Sequence, residues 1–167
     1  GAELTAVGVE SLESNTTGAQ NVALGFRALE KNTTADHNTA LGHEALKLNT
    51  TGIDNTAVGA DALDANTTAN FNTAIGARAL GANTTGSGSC AVGEDALLVA
   101  TTGTQNNAMG QSALRSLTTG SYNIGLGANS LASTTTADNN TAVGHAALNA
   151  NTTGTQNVAV GNNTLDG

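Results

Sequence analysis

Few side chains in this 167-residue sequence could do chemistry: three histidines, one cysteine and thirteen carboxylates. His43 and His145 fall in equivalent slots of a repeating pattern but stand six repeats apart. That is about 29 Å if each repeat advances by the spacing of neighbouring strands, so one chain cannot bring them to one metal ion. Copies of one histidine from three chains could meet on a threefold axis, but a variable surface position is the plainer reading for these two and for His37. Glu94 with Asp95, and Asp61 with Asp64, are paired carboxylates of the kind used in general acid–base catalysis, yet the pattern sets no histidine or nucleophile beside them. Cys90 stands alone where the repeat usually has threonine, which suits a buried replacement better than a catalytic thiol and leaves no disulfide within the chain. No aspartate recurs in a glycine-rich nonapeptide, as calcium-binding solenoids require. The expectation is a protein that is not an enzyme, with no cofactor and no metal site.

The pattern itself is far more informative. Gly8, Gly25, Gly42, Gly59, Gly76, Gly93, Gly110, Gly127, Gly144 and Gly161 follow one another at intervals of 17 without insertion or deletion. Four places after each comes a leucine, from Leu12, Leu29, Leu46, Leu63 and Leu80 to Leu165, and before each stands a larger apolar residue such as Val7, Val58 or Ile75. The unit reads T-A-V-G-x-x-A-L-x-x-N-T-T-x-x-x-N. Seventeen residues are too few for two packed helices, and paired threonines, asparagine and glycine are poor helix formers. One β coil per unit remains, so residues 1–167 are expected to form a single repeat array, an all-β solenoid of about ten coils, cut from a longer fibre. The fixed length follows from stacking, since one extra residue would turn every later side chain of its coil to the wrong face. The absence of proline follows from the need to donate backbone N–H groups along the stack.

Within a coil the sequence predicts a short strand over T-A-V-G, a second strand around A-L, and a return bend over N-T-T. Stacking turns each slot into a ladder: apolar ladders through Val7, Val58 and Ile75 and through Leu12, Leu29, Leu63 and Leu80, and an amide ladder through Asn38, Asn55 and Asn72. Charges keep to the variable slots, where Glu10, Arg27, Glu44, Asp61, Arg78 and Asp95 place opposite signs on most stacked neighbours; such exposed pairs help register more than stability. Phe71 and Tyr122 share another variable slot and are a candidate surface-binding stripe. N-T-T also matches the N-glycan acceptor six times between Asn15 and Asn151, although turn chemistry explains the recurrence more simply.

Composition limits function. Aromatics are 2% of residues, tryptophan is absent, and alanine accounts for much of the 38% apolar content, so large side chains cannot be what holds the chain together. A net charge of −8 with five basic residues argues against nucleic acid and against an anionic membrane surface. No apolar run is long enough to span a bilayer. Adjacent apolar residues, as in Ala6-Val7, point to opposite faces of a strand, and strands apolar on both faces are normally covered on both. The sequence therefore favours an oligomer, without saying whether the valine or the alanine ladder faces the partner.

The run Asn55-Thr56-Ala57-Val58-Gly59-Ala60-Asp61-Ala62-Leu63 resembles the coils of trimeric autotransporter adhesin heads. It is still more similar to the N-T-A-[VIL]-G-x-x-A-L arrays of phage tail-fibre and bacterial surface-fibre proteins. The resemblance covers the whole chain, though the adhesin heads use a shorter repeat. It implies a left-handed parallel β-roll, homotrimeric assembly and an extracellular, cell-surface or virion location. The function it implies is a structural segment that spaces or presents a receptor-binding tip for cell attachment, the host or prey glycan or protein being engaged outside this segment. The competing expectation is an ice-binding or glycan-binding solenoid using threonine and asparagine ladders. Ice-binding faces usually carry outward T-x-T, whereas adjacent threonines point to opposite sides.

Overall fold

The computed structural model describes residues 3–166. It contains ten three-residue strands: β1 Thr5–Val7, β2 Val22–Leu24, β3 Thr39–Leu41, β4 Thr56–Val58, β5 Thr73–Ile75, β6 Cys90–Val92, β7 Asn107–Met109, β8 Ile124–Leu126, β9 Thr141–Val143 and β10 Val158–Val160. All pair in parallel and in chain order, each residue with the one 17 later, as in Thr56↔Thr73, Ala57↔Ala74 and Val58↔Ile75. The fold is a β-solenoid with one coil per repeat.

Each coil has one strand, not the two expected. The segment around A-L is a tight turn in which residues such as Arg27 (φ 56°) and Leu29 (φ 52°) are left-handed. Within it, the Glu30 N–H donates to the Arg27 carbonyl at 3.2 Å and the Asn32 N–H to the Leu29 carbonyl at 3.1 Å. A left-handed L-residue costs about 1–2 kcal/mol. Burying a leucine side chain returns about 1.5–3 kcal/mol, so the corner is held by what it turns inward. Turn residues still stack between coils, for instance through Leu46 N–H to Ala62 O at 3.0 Å.

Strand alternation decides which apolar ladder is internal. Ala57, Ala74 and Ala91 are fully buried, and they meet Ala62, Ala79 and the leucine ladder through Leu29, Leu63 and Leu80 in a core of small cross-section. The larger residues Val7, Leu24, Ile75 and Met109 lie on the outer face of the strands and are exposed, while Val58 is partly exposed. The glycine that follows is doubly constrained. Gly59 has φ 134°, and a Cβ on it would sit 2.6 Å from the Gly76 carbonyl oxygen, because consecutive coils approach there backbone to backbone.

Two buried asparagine ladders bind the coils together. In one, the Asn38 side-chain oxygen accepts from the Asn55 N–H at 3.0 Å, while Asn38 Nδ2 donates to Gly52 O at 2.8 Å. Asn55 and Asn72 repeat the arrangement. In the other, the asparagine of N-T-T donates both to the amide oxygen of the preceding coil and to the carbonyl three residues ahead. Asn66 Nδ2, for example, reaches Asn49 Oδ1 at 2.8 Å and Ala69 O at 3.1 Å. The sixth coil breaks both ladders, with Ser89 in the first and Ala100 in the second, and the second stays broken through Leu117 and Thr134 until Asn151. The consequence is local and specific. Asn83 Oδ1 is buried without a partner, and among the described residues no donor reaches the buried Gly103 carbonyl, whose counterparts Gly52, Ala69 and Gly86 each receive two amides.

Candidate functional site

The strand face runs through all ten strands of the described stack. Its outward positions are the first and third residues of every strand, none of which is charged. Val7, Leu24, Leu41, Ile75, Met109, Leu126 and Val160 form an exposed apolar row, flanked by a row in which threonine fills half the places and Val22, Cys90, Asn107, Ile124 and Val158 the rest. Ten coils at strand spacing make this stripe about 45 Å long. Cys90 lies on the same face, half-buried, with its thiol pushed up by burial and so held in the neutral form at ordinary pH.

The paired threonines divide by role. The first of each pair from Thr16 to Thr135 donates its hydroxyl to the carbonyl of its counterpart in the next coil, as Thr33 Oγ1 does to Thr50 O at 3.0 Å and Thr50 Oγ1 to Thr67 O at 3.0 Å. The second, Thr17, Thr34, Thr51 and onward to Thr153, is exposed in all nine coils that have the pair. Among the described residues these outer hydroxyls make no hydrogen bond within the chain. The asparagine just before each pair is inaccessible in the interior coils. Asn32, Asn49, Asn66 and Asn83 are buried with their amide nitrogens already donating, so the folded rod has no room for a glycan on them.

The charged slots form ion pairs between coils. Arg27 pairs with Glu10 and lies 3.7 Å from Glu44, and Arg78 pairs with Asp95 at 2.7 Å and Glu94 at 3.6 Å. The hydrogen bond that Arg27 donates to Glu10 raises the Arg27 pKa further, and the one that Arg78 donates to Asp95 does so for Arg78. His43, Glu44 and Asp61 converge closely enough to share a cation. Each already has a partner, however: His43 stacks on Phe26 and meets Asp61 at 3.4 Å, and Glu44 meets Lys47 at 3.0 Å. Asp64 lines the adjoining groove, where burial first and the Asp61 charge second push its carboxyl up. His37 lies 3.6 Å from Asp54, and His145 is exposed six coils from His43. Contrary to the sequence expectation, stacking sets a histidine, His43, beside Asp61 and puts Asp61 and Asp64 on one groove, while Glu94 and Asp95 are taken up in contacts with Arg78.

Phe71 and Tyr122 stand in the same row, both exposed, on either side of a shallow groove of about 360 Å³ lined by Ser87, Gly88, Thr104 and Gln105. Sequence reasoning found the two rings but not the gap between them. Gly88, the one glycine in that row, is the signal that would have shown it.

No family model, no curated protein and no solved structure matches the chain. No helix among the described residues is long and apolar enough to cross a membrane.

Proposed function

We propose that this chain is a shaft: a structural segment of a homotrimeric surface or virion fibre that spaces or presents a receptor-binding tip for cell attachment outside the cell. The observation that carries the reading is the uncharged apolar stripe running the length of the strand face. Monomeric proteins rarely leave a contiguous apolar patch of this extent open to water, and a rod whose core is mostly alanine gains most from burying it. Three such stripes facing a common axis would bury one another and leave the ion-paired turns and the threonine bends in solvent. Resemblance to fibre and adhesin repeats points the same way.

Light scattering of the purified chain tests the assembly, with a trimer expected. Ile75→Asp puts a charge on the stripe without touching the core, so it should yield a folded, smaller species. Cys90 is a native reporter of the same face. Its alkylation should be slow in the assembly and faster in the Ile75→Asp protein; a concentration-independent, fully stable wild-type monomer would overturn the assembly.

The outer threonine row supports a second reading, an ice-binding solenoid, because its hydroxyls are regularly spaced and not used within the chain. Thermal hysteresis separates the two. A freezing-point gap abolished by substituting Thr51, Thr68 and Thr85 would favour ice binding, and its absence leaves the shaft.

A further inference from the structure

Phe71 (φ 59°) and Tyr122 (φ 62°) occupy left-handed corner positions that are otherwise filled by polar residues and one glycine. Bulky side chains are disfavoured there, and an aromatic kept in such a conformation while exposed gains nothing from the core. The remaining phenylalanine is different: Phe26 stacks on His43 with centroids 5.4 Å apart and carries Arg27 at 4.8 Å. Phe71 and Tyr122 have no ring or cation against them among the described residues.

Three coils separate the two rings, about 14 Å along the rod. The groove between them is open because of Gly88, where an added Cβ would meet just Gln105 Cγ, at 3.4 Å. Its floor is polar. Ser87 Oγ accepts from the Asn70 N–H at 3.0 Å and keeps its own hydrogen to donate, while the Gln105 amide makes no side-chain hydrogen bond within the described chain. No charged residue lines it.

The geometry points to a binding site on the shaft itself for a neutral oligosaccharide lying along the rod, a function distinct from tip presentation. The rings would cover the C–H faces of two sugars, and Gln105, Ser87 and Thr104 would bond the hydroxyls of those between. An acidic polysaccharide or a nucleic acid would find no cation in the groove. A peptide anchor would find no enclosed apolar pocket. Affinity per site is low for so open a groove, and several chains side by side in a fibre multiply it.

The chain has one tyrosine and no tryptophan, so its intrinsic emission reports Tyr122 alone. The experiment titrates the full chain with cellohexaose and mannohexaose, with hexagalacturonate as the acidic control. A saturable change with at least one neutral probe is expected. Phe71→Ala and Gly88→Gln should each weaken it about tenfold, the first by removing a stacking face and the second by filling the gap. By calorimetry, since the variant loses the fluorophore, Tyr122→Ala should weaken binding about tenfold as Phe71→Ala does, because it removes the other stacking face. No response to either neutral probe at millimolar concentration overturns the proposal. So does unchanged binding in a Phe71→Ala/Tyr122→Ala double variant, or tighter binding of hexagalacturonate. The same titration on the Ile75→Asp protein keeps the two readings apart, because the groove belongs to one chain and should bind whatever the assembly state.

Discussion

Substituting Asn66 by alanine should reproduce, in an intact part of the rod, the defect that the sixth coil already carries. Asn66 Nδ2 donates to Asn49 Oδ1 at 2.8 Å and to Ala69 O at 3.1 Å, and Ala69 O keeps a second donor in Asn55 Nδ2 at 2.9 Å. Truncation therefore strands one acceptor, Asn49 Oδ1, inside a ladder with no access to water, and takes from Asn83 Nδ2 the Asn66 Oδ1 acceptor it reaches at 3.3 Å, leaving that amide only Gly86 O. A stranded buried acceptor costs about 1–3 kcal/mol, and the lost bond adds about 1 kcal/mol, which gives an expected loss of about 2.5 kcal/mol. For a chain of this size that lowers Tm by about 5–10 °C. The reciprocal change is Ala100→Asn, whose amide nitrogen would supply both Asn83 Oδ1 and Gly103 O but whose own oxygen would face the buried Leu117, which has no donor to offer. The stranded acceptor moves up one coil, so with about 1 kcal/mol for ordering the new side chain the net change should stay within about 0.5 kcal/mol. Urea unfolding followed by circular dichroism measures both, with the Asn72 and Thr84 amides followed by hydrogen exchange to localise the effect. A loss below about 0.5 kcal/mol for Asn66→Ala would refute the account of the ladder as a dry, fully committed amide network, whatever Ala100→Asn does.

Other perturbations should separate the layers of the rod. Ala74→Asp buries a charge in the core and should unfold the array, whereas Ala60→Asp, in an exposed variable slot, should shift stability by less than about 0.5 kcal/mol by the same urea titration. Deleting residues 56–72 removes one whole coil and should leave a shorter folded rod by small-angle scattering; deleting Ala65 alone should disrupt stacking on both sides, and equal tolerance would contradict one coil per repeat. Asp64 has a folded pKa raised above its unfolded value, so the folded chain binds more protons there and is penalised once pH rises through that range. Asp64→Asn should therefore raise Tm at pH 7 by an amount that shrinks as pH falls into the carboxylate range, and a growing advantage at acid pH would reverse the reasoning.

Much of the fold is written in the repeat. The spacing of Gly8 through Gly161 fixes coil length and register, because stacked strands tolerate no slip, and the exclusion of proline shows that backbone donors are spent along the rod. What could not be read is the conformation of the A-L segment. Two adjacent apolar residues look like strand, and leucine gives no warning of a left-handed corner, since its type disfavours one and the interior it fills overrides that preference. The valine-in or alanine-in choice was equally illegible, because both side chains are apolar and the answer depends on which phase of the alternation the corner imposes. The binding groove was half visible. Phe71 and Tyr122 stand out in a chain nearly free of aromatics, but the space between them comes from Gly88, whose meaning appears once the row is stacked.

The ladders that join the coils run parallel to the rod axis, and this sets how the molecule would answer a pull on its ends. Each inter-coil hydrogen bond lies along the direction of load, so coils would peel from an end one after another, not shear together. Each released coil exchanges about 4.8 Å of rod for 17 residues of extended chain, about 56–61 Å. The same stacking that makes the rod straight at rest makes it a sequential extender under tension, gaining about 50 Å of length per coil before the next one feels the full force.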